Sequence, residues 1–331
     1  MSTVGIIANP ASGRDIRRLV AHGSVFSNNE KVNIVRRVLL ALDAMGVERV
    51  LLMPDSFHIG ERAKEAIDLR LRCQELDFYV NDTSHDSERA AAEMAAAGVR
   101  CLVTLGGDGT NRAVAKVLGD LPLLAVSTGT NNVFPVMVEG TVAGLAAGLI
   151  ATGQVYPAAA TYRTRRLMVE VEGKGADIAL VDAAVVSDTY VGARAVWEPG
   201  RLQHLILARA GLHYIGLSSV GGAFYPEGLP EGQALYLELG AGGQTVTAPL
   251  APGLIHQVGI RQAMLLPFGA PLTLTLANCT IALDGEREIA IPQKPRQATF
   301  TAGGDGPLVV DVPRTLALGA KAGVFLNAST T

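Results

Sequence analysis

The sequence predicts two domains, an α/β domain followed by a mainly antiparallel β domain. Its length of 331 residues is enough for two hydrophobic cores. Up to about residue 150, apolar runs typical of buried strands alternate with helical repeats, whereas short β-rich segments follow one another from about residue 154. Strands separated by helices of this length form βαβ units, so we expect the first domain to be a Rossmann-like doubly wound parallel sheet.

Five strands and four helices are predicted in the first domain. Val32, Val35 and Leu39 recur at helical spacing, and a later helix begins with capping residues and ends at Gly98. The strands are predicted at 4–10, 47–54, 76–82, 101–105 and 122–127, and the helices at 28–46, 57–70, 83–98 and 110–118.

The second domain is predicted to be a β-sandwich or distorted barrel. Its β-rich segments lie at 165–173, 176–186, 234–240, 244–250, 271–291, 297–304 and 307–312, with helices expected at 199–211 and 314–323. The predicted domain bounds are 1–135 for the α/β nucleotide-binding domain and 136–312 for the β-rich substrate domain, with a helix at 138–152 as connector. Residues 313–331 are expected to pack back on the first domain.

The composition narrows the classes of partner. A net charge of −3 argues against a nucleic-acid binder, because phosphate neutralisation requires clustered Lys and Arg. The sequence has no run of about 18 apolar residues and no basic amphipathic helix, so no membrane partner is expected. Three cysteines without metal spacing and an N-terminus without a basic leader indicate a cytoplasmic protein. We expect a small-molecule substrate, and a homo-oligomer stays open.

The tetrapeptide Gly-Gly-Asp-Gly occurs twice, at 106–109 and at 303–306, and its context separates the two copies. The first copy follows a buried strand and precedes a helix, the position at which open α/β sheets bind ligands. Its glycines allow close backbone approach, and the helix N-terminus favours a phosphate. The second copy is followed by Pro307 and a strand, which predicts a turn between antiparallel strands. A structural turn is the alternative for the first copy.

Other polar segments end predicted strands on the same edge of the sheet. Asn9 and Gly13 follow the first strand, in a turn that could face a nucleotide. A second segment follows the fifth strand, with a plain polar turn as its alternative: Thr128, Gly129, Thr130 and Asn131. Three nearby arginines fit either phosphate binding or a solvated helix start: Arg14, Arg17 and Arg18.

Four short motifs occur in a fixed order: "NPASG" at 9–13, "LGGDGT" at 105–110, "STGTNN" at 127–132 and "LDGERE" at 283–288. Together they resemble the superfamily of ATP-NAD kinases, diacylglycerol kinases and sphingosine kinases. Within it, "NPASGRDIRRLVA", "GVERVLLMPD", "STGTNNVFP" and "GARAVW" are most similar to the acetoin catabolism protein X family, an ATP-NAD kinase-like group. The resemblance covers nearly the whole chain.

This resemblance implies an NAD kinase/diacylglycerol kinase-like fold, with the active site in the cleft between the domains. It also implies ATP and Mg²⁺ as cofactors and phosphoryl transfer to a hydroxyl. The implied nucleotide-binding residues are Asn9, Gly13, Gly106, Gly107, Gly109, Thr110, Thr128, Gly129, Thr130 and Asn131. Asp108 would accept the proton of the attacking hydroxyl, or hold the metal through water.

The second domain would contribute acidic residues to the acceptor or the metal: Asp182, Asp284 and Glu286. Asp-Gly between two extended segments also predicts a plain hairpin, which is the alternative for the last two. ATP-NAD kinases hold the dinucleotide with an Asn-Glu pair and a segment similar to TPTGSTAY. Here Val181 stands in place of the Asn, and the Gly-Ser-Thr-Ala-Tyr element is absent from 211–224.

We therefore expect an ATP-dependent kinase of a small metabolite, NAD or another hydroxyl-bearing acceptor, with a link to acetoin catabolism. The alternative is a catalytically weak nucleotide-binding accessory or sensor protein with the same fold. A third class, the NAD(P)-dependent oxidoreductases, fits less well, because Arg112 stands where the dinucleotide fingerprint has its last glycine.

Overall fold

The structure is a computed structural model of the chain that describes residues 1–12, 26–65, 67–187, 199–285 and 287–326. It contains one mostly parallel sheet with helices on both faces and two antiparallel sheets. The predicted fold class, an α/β domain plus a mainly antiparallel β domain, is confirmed. No described helix has the length and the apolar run needed to cross a bilayer.

The first sheet has seven strands in the order β3-β2-β1-β4-β5-β17-β6. All neighbouring strands are parallel except β17 and β6, which are antiparallel. Its strands are β1 (Thr3–Ala8), β2 (Arg49–Leu52), β3 (Arg72–Glu75), β4 (Cys101–Gly106), β5 (Leu123–Ser127), β6 (Thr161–Arg163) and β17 (Leu308–Val310). The associated helices are α1 (Asn28–Ala44), α2 (Ile59–Lys64), α3 (Ser84–Ala96), α4 (Asp108–Ala115), α5 (Gly140–Ala151), α6 (Pro157–Ala160) and α8 (Val312–Lys321).

Helices cover both faces of this sheet, because its strands are apolar on both sides. Every residue of β1 is buried, and alternate residues enter two separate cores. Ile6 packs with α1 and α5, whereas Ile7 packs with α3 and α4. Gly144 lets α5 approach α1 closely, since a Cβ there would stand 2.7 Å from the Val38 carbonyl oxygen. The helix predicted as a connector at 138–152 is therefore packed closely against α1.

The β domain consists of a six-stranded sheet and a four-stranded sheet. The larger sheet has the order β12-β11-β10-β9-β14-β15, and the smaller has the order β13-β16-β7-β8. Their bounds are β7 (Arg166–Val171), β8 (Gly175–Ala179), β9 (Asp182–Val186), β10 (Leu202–Leu207), β11 (Gln233–Ala251), β12 (Leu254–Pro267), β13 (Pro271–Leu276), β14 (Cys279–Leu283), β15 (Arg287–Ile291) and β16 (Arg296–Gly303), with one helix, α7 (Leu217–Gly222). Val169, Val185 and Phe300 belong to the core that both sheets share.

Several predicted elements are wrong in kind or extent, and the strand β12 was not predicted at all. The expected helix at 199–211 is a short 3₁₀ turn followed by β10, a central strand between β9 and β11. Residues 205–207 are buried on both faces of that sheet, so an apolar run that also fits a helix becomes a strand. The third strand is β3, just before the predicted 76–82, and the helix expected at 57–70 is limited to α2.

Two separate parts of the chain contribute strands to the first sheet. β6 and β17 lie within 136–312, the range predicted for the second domain, yet both pair in the first sheet. The helix α8 then packs on α5, where Gly319 lies against the side chain of Leu149. The β domain is therefore inserted between two strands of the first sheet.

Candidate functional site

The turn after β1 connects three of the predicted nucleotide-binding segments. The Asn9 side-chain amide donates to Thr110 Oγ1 at 2.8 Å, and Asn9 Oδ1 accepts the Ala11 N–H at 2.9 Å. The Ser12 hydroxyl lies 2.9 Å from the Thr128 hydroxyl. The turn is thereby tied to the end of β4 and to the end of β5. Gly13 and the three arginines at 14, 17 and 18 lie outside the described residues.

A buried lysine of α1, Lys31, stabilises the same turn. Its side chain has no exposed surface, and Nζ donates to the carbonyl oxygens of Asn9 at 2.8 Å, Pro10 at 3.2 Å and Ser12 at 2.6 Å. Asn28 Oδ1 is a fourth acceptor at 3.0 Å, so the three N–H donors of the ammonium are shared among four oxygens. Lys31 was not predicted as a site residue, because its spacing in α1 marks it only as another helical position.

The first Gly-Gly-Asp-Gly copy spans the end of β4 and the start of α4. Gly107 is the N-cap of α4, and a Cβ there would stand 2.9 Å from Asn132 Oδ1. A Cβ on Gly106 would stand 2.5 Å from the Thr110 side chain. Asn111 fixes the loop by donating to the Gly107 carbonyl at 2.8 Å. The absence of side chains here permits close packing of the two loops, and it leaves the first N–H groups of α4 at this edge of the sheet.

Asp108 holds the neighbouring loop through its carboxylate. Oδ1 accepts the Phe134 N–H at 2.7 Å, and both oxygens accept the Val133 N–H at 3.1 Å. The loop after β5 is also fixed internally, since the Ser127 hydroxyl donates to the Gly129 carbonyl at 2.8 Å. The predicted segment 128–131 therefore lies beside the first copy, as expected for the carboxyl ends of adjacent parallel strands.

The predicted acidic residues of the β domain lie close to the backbone of their own domain. Asp284 and Gly285 both have positive φ in the turn between β14 and β15, so the predicted hairpin is present. The buried Asp284 carboxylate accepts the N–H groups of Leu180, Val181 and Asp182 at 2.8–3.1 Å. Burial raises the pKa of Asp284, opposed by the positive charge of Arg112 and these bonds. Glu286 lies outside the described residues.

Residues of both domains meet in one narrow cleft. Asp108, Asp182 and Asp284 all line it, together with Asn131 and Gly216, and its free volume of about 30 Å³ is roughly that of one water molecule. An Arg112 N–H donates to the Leu283 carbonyl and so ties α4 to the hairpin of the β domain. The described residues contain no group of three or more His, Cys, Asp or Glu side chains arranged to hold a metal ion.

A larger cavity opens on the other side of the Asn9 turn. It has a volume of about 400 Å³ and lies at the carboxyl ends of β1 and β2. Met53, Pro54, Phe57 and Val80 give it apolar walls, Thr83 adds a hydroxyl, and three carboxyl side chains also line it: Asp55, Asp82 and Asp86. These residues were not predicted from the sequence, although the "MPD" that follows β2 falls on the same edge of the sheet as the other motifs.

The second Gly-Gly-Asp-Gly copy has different surroundings. It ends β16 and leads through Pro307 into β17, with no helix after it. The Asp305 side chain is 63% exposed and forms an ion pair with Arg166 at 2.5 Å. This ion pair lowers the pKa of Asp305, chiefly through the hydrogen bond from Arg166. The segment is a bend that joins two different sheets, so the predicted turn between antiparallel strands is wrong: β16 pairs in the four-stranded sheet and β17 in the first sheet.

Comparisons with known proteins agree with this two-part organisation. Residues 4–155 match the family model of the ATP-NAD kinase N-terminal domain, and residues 165–302 match that of the acetoin catabolism protein X C-terminal domain. Acetoin catabolism protein X from Cupriavidus necator strain H16 is 43% identical over 303 residues, which cover 87% of this chain and 84% of that protein. The chain belongs to the acetoin catabolism protein X family, and the resemblance noted in the sequence is confirmed.

A solved structure gives a weaker likeness. A protein from Bacillus anthracis str. Sterne, described as a diacylglycerol kinase, aligns with a TM-score of 0.44 and 12% identity. The alignment covers 93% of this chain and 97% of that one. Family membership rests on the sequence matches alone.

Proposed function

We propose that this protein is an ATP-dependent phosphotransferase that phosphorylates a hydroxyl group of a small metabolite, with a role in acetoin catabolism. The observation that carries the proposal is the cleft in which Asp108 meets the β-domain residues Asp182 and Asp284. The N-terminal match to ATP-NAD kinases supports a nucleotide as phosphoryl donor. The relative's name supports the metabolic link.

The nucleotide would occupy the larger cavity and reach the cleft with its phosphates. The cavity at Asn9 and Thr83 falls within the size range of small-molecule sites, and its apolar walls suit a purine. From there, the phosphates would pass Asn9 to Gly106, Gly107 and Gly109. The N-terminus of α4 favours negative charge at this point.

Mg²⁺ fits the same place, because proteins hold it through one or two carboxylates together with substrate phosphates. Asp108 lines the cleft as one such carboxylate, and Asp182 as a second from the other domain. Mg²⁺ would neutralise charge that develops on the transferred phosphoryl group. Asp284 is the less suitable ligand, because its side chain is buried and three backbone N–H groups bind its carboxylate, whereas Asp108 is partly exposed.

In this proposal, Asp108 would act as the base. The acceptor oxygen would form a bond to the γ-phosphorus while the bond from that phosphorus to the ADP oxygen breaks, and the hydroxyl proton would pass to the Asp108 carboxylate. The N–H groups of Val133 and Phe134 hold this carboxylate in one orientation. Such positioning is the main protein contribution to phosphoryl transfer.

NAD is expected to be a poor acceptor. Val181 is 1% exposed and offers no amide where ATP-NAD kinases use one, and each lost polar partner costs about 1–3 kcal/mol. A different hydroxyl-bearing metabolite is therefore the favoured substrate. The rival proposal is a nucleotide sensor without turnover, and one observation favours it: the Asp108 carboxylate also has a structural role as acceptor for two backbone N–H groups.

The test compares Asp108→Asn with the matched control Asp305→Asn. An asparagine keeps one acceptor oxygen for the loop but cannot take the proton. We expect ATP with Mg²⁺ to stabilise both variants in thermal denaturation, and ADP release with an accepted substrate to fall by about 10²–10⁴ in Asp108→Asn alone. NAD kinase activity with kcat/KM near about 10⁴ M⁻¹s⁻¹ would contradict the acceptor assignment. Stabilisation by ATP without ADP release for any hydroxyl acceptor would favour the sensor.

A further inference from the structure

Arg209 follows β10 and lies between the two domains, with its side chain half-buried. Its guanidinium carbon is 4.8 Å from the ring centroid of Phe134, a residue of the first domain. The Nε atom is buried and has no hydrogen-bond partner, and the group forms no ion pair with any residue that the structure describes. A buried charged donor without an acceptor is unfavourable, so it calls for an explanation.

The nearby arginines have partners that Arg209 lacks. Arg112 donates to the Leu283 carbonyl, and Arg165 donates to the carbonyl oxygens of Leu229 and Pro230 at 2.9 and 2.8 Å. Burial, and then the charge of Arg209, lowers the pKa of Arg165, which shows that the two cations are close. The region around Arg209 is therefore positive, and the aromatic face of Phe134 is the contact that stabilises its guanidinium.

Phe134 also connects this cation to the predicted base. Its backbone N–H donates to Asp108 Oδ1 at 2.7 Å, while its ring contacts Arg209. Asp108 and Arg209 therefore contact opposite ends of the same phenylalanine residue. An acceptor that extends past this residue can place a hydroxyl at Asp108 and a second group at Arg209.

We propose that Arg209 binds an anionic group of the phosphoryl acceptor, a carboxylate or a phosphate, so that the substrate is a small hydroxyl-bearing anion. This assignment rests on the proposed kinase function. A guanidinium offers two parallel N–H donors that match the oxygens of either anion. Two negative side chains share this region: Glu231, whose charge acts on Arg165, and Asp311, whose Oδ1 accepts the Arg314 N–H at 3.0 Å as the N-cap of α8.

The test uses pairs of ligands that differ in the anionic group: glycerol 3-phosphate against glycerol, and lactate against 1,2-propanediol. Binding is measured by thermal shift and calorimetry without nucleotide, in the full-length chain. The variants are Arg209→Gln, Arg209→Lys and the control Arg163→Gln, whose guanidinium pairs with the exposed Asp120 at 2.7 Å. We expect one anionic ligand to bind the native protein and Arg163→Gln with equal affinity. The same ligand should bind Arg209→Gln about tenfold or more weakly, and Arg209→Lys with intermediate affinity.

Each result decides the assignment. Binding of lactate alone identifies a carboxylate, and binding of glycerol 3-phosphate alone identifies a phosphate. Equal binding of the neutral member, unchanged binding in Arg209→Gln, or no binding of either anion to the native protein overturns it. ATP with Mg²⁺ is titrated in the same samples. Stabilisation by ATP in both the native protein and Arg209→Gln shows that the nucleotide site is intact. If ATP stabilises neither protein, the result contradicts the proposed kinase function and not the role of Arg209.

Discussion

The two Gly-Gly-Asp-Gly copies have the same four residues and opposite surroundings. In the first copy, Asp108 is the first residue of α4, and its carboxylate binds the backbone of the next loop inside the interdomain cleft. In the second copy, Asp305 stands on the surface between β16 and β17, paired with Arg166. The element that follows decides the difference: a helix after the first copy, and a proline with a strand after the second.

The comparison shows that the tetrapeptide by itself defines only a turn. What makes the first copy a candidate site is the set of neighbours that its glycines admit at short distance, Thr110 and Asn132. The second copy packs against backbone instead, since a Cβ on Gly306 would stand 2.8 Å from the Thr164 and Arg165 carbonyl oxygens. Variants can test whether the two copies differ in binding as much as in structure.

The largest effect is expected from Gly107→Val. The new side chain would displace Asn132 and separate the two loops, so the stabilisation by ATP with Mg²⁺ should be lost. Gly304→Val is the matched control, because its Cβ would meet only the Phe268 ring at 3.1 Å. Thermal shift with and without nucleotide measures both. Equal loss in the two variants would show that the first copy has no special role.

A smaller effect is expected from Lys31→Met, which leaves both tetrapeptides intact. Three carbonyl oxygens of the Asn9 turn would lose their donor, and we expect the free energy of unfolding to fall by about 2–4 kcal/mol. Affinity for ATP should fall with it. Lys64→Met is the control, since it removes only a partly exposed pair with Glu61 and should cost about 1 kcal/mol or less. Urea titrations measure the free energy of unfolding of both variants. Equal stability of the two would show that the Asn9 turn does not depend on Lys31.

The smallest effect is expected from Asp305→Asn, and it depends on pH. Because the pKa of Asp305 in the folded state lies below its ordinary value, the pair with Arg166 stabilises the fold above that value and loses this effect as pH falls through the lowered pKa. The variant should be less stable by about 1 kcal/mol at most near neutral pH and equal to the native protein in acid. A difference that grows on acidification would contradict the assigned pair.

Local patterns were sufficient to predict most of the first sheet. The apolar runs of β1, β4 and β5 and the turn residues after them are adjacent in sequence, so the edge that carries the candidate site could be predicted. The Asp-Gly hairpin was predictable for the same reason. In contrast, β10 was assigned as a helix, since its apolar residues fit both periods and only the flanking strands β9 and β11 decide between them.

The contacts that define the site depend on long-range packing. The carboxylate of Asp284 binds backbone N–H groups more than a hundred residues earlier in the chain, and backbone donors leave no mark in a sequence. Lys31 and Arg209 were not predicted, because the sequence does not show which groups surround a cation in the fold. The structure shows that Lys31 Nζ has acceptors, whereas Arg209 Nε has none.

The insertion of the β domain before β17 has a consequence for synthesis. On the ribosome, β1 to β5 emerge first, but the strand that pairs with β5 follows only after the whole β domain. Until then the nascent sheet keeps an open edge at Leu123, and an unpaired strand edge is a template for association with other chains. Translation that stops before residue 308 would therefore release a protein with an exposed β5 edge. The first sheet is complete only when β17 has been synthesised, after the β domain.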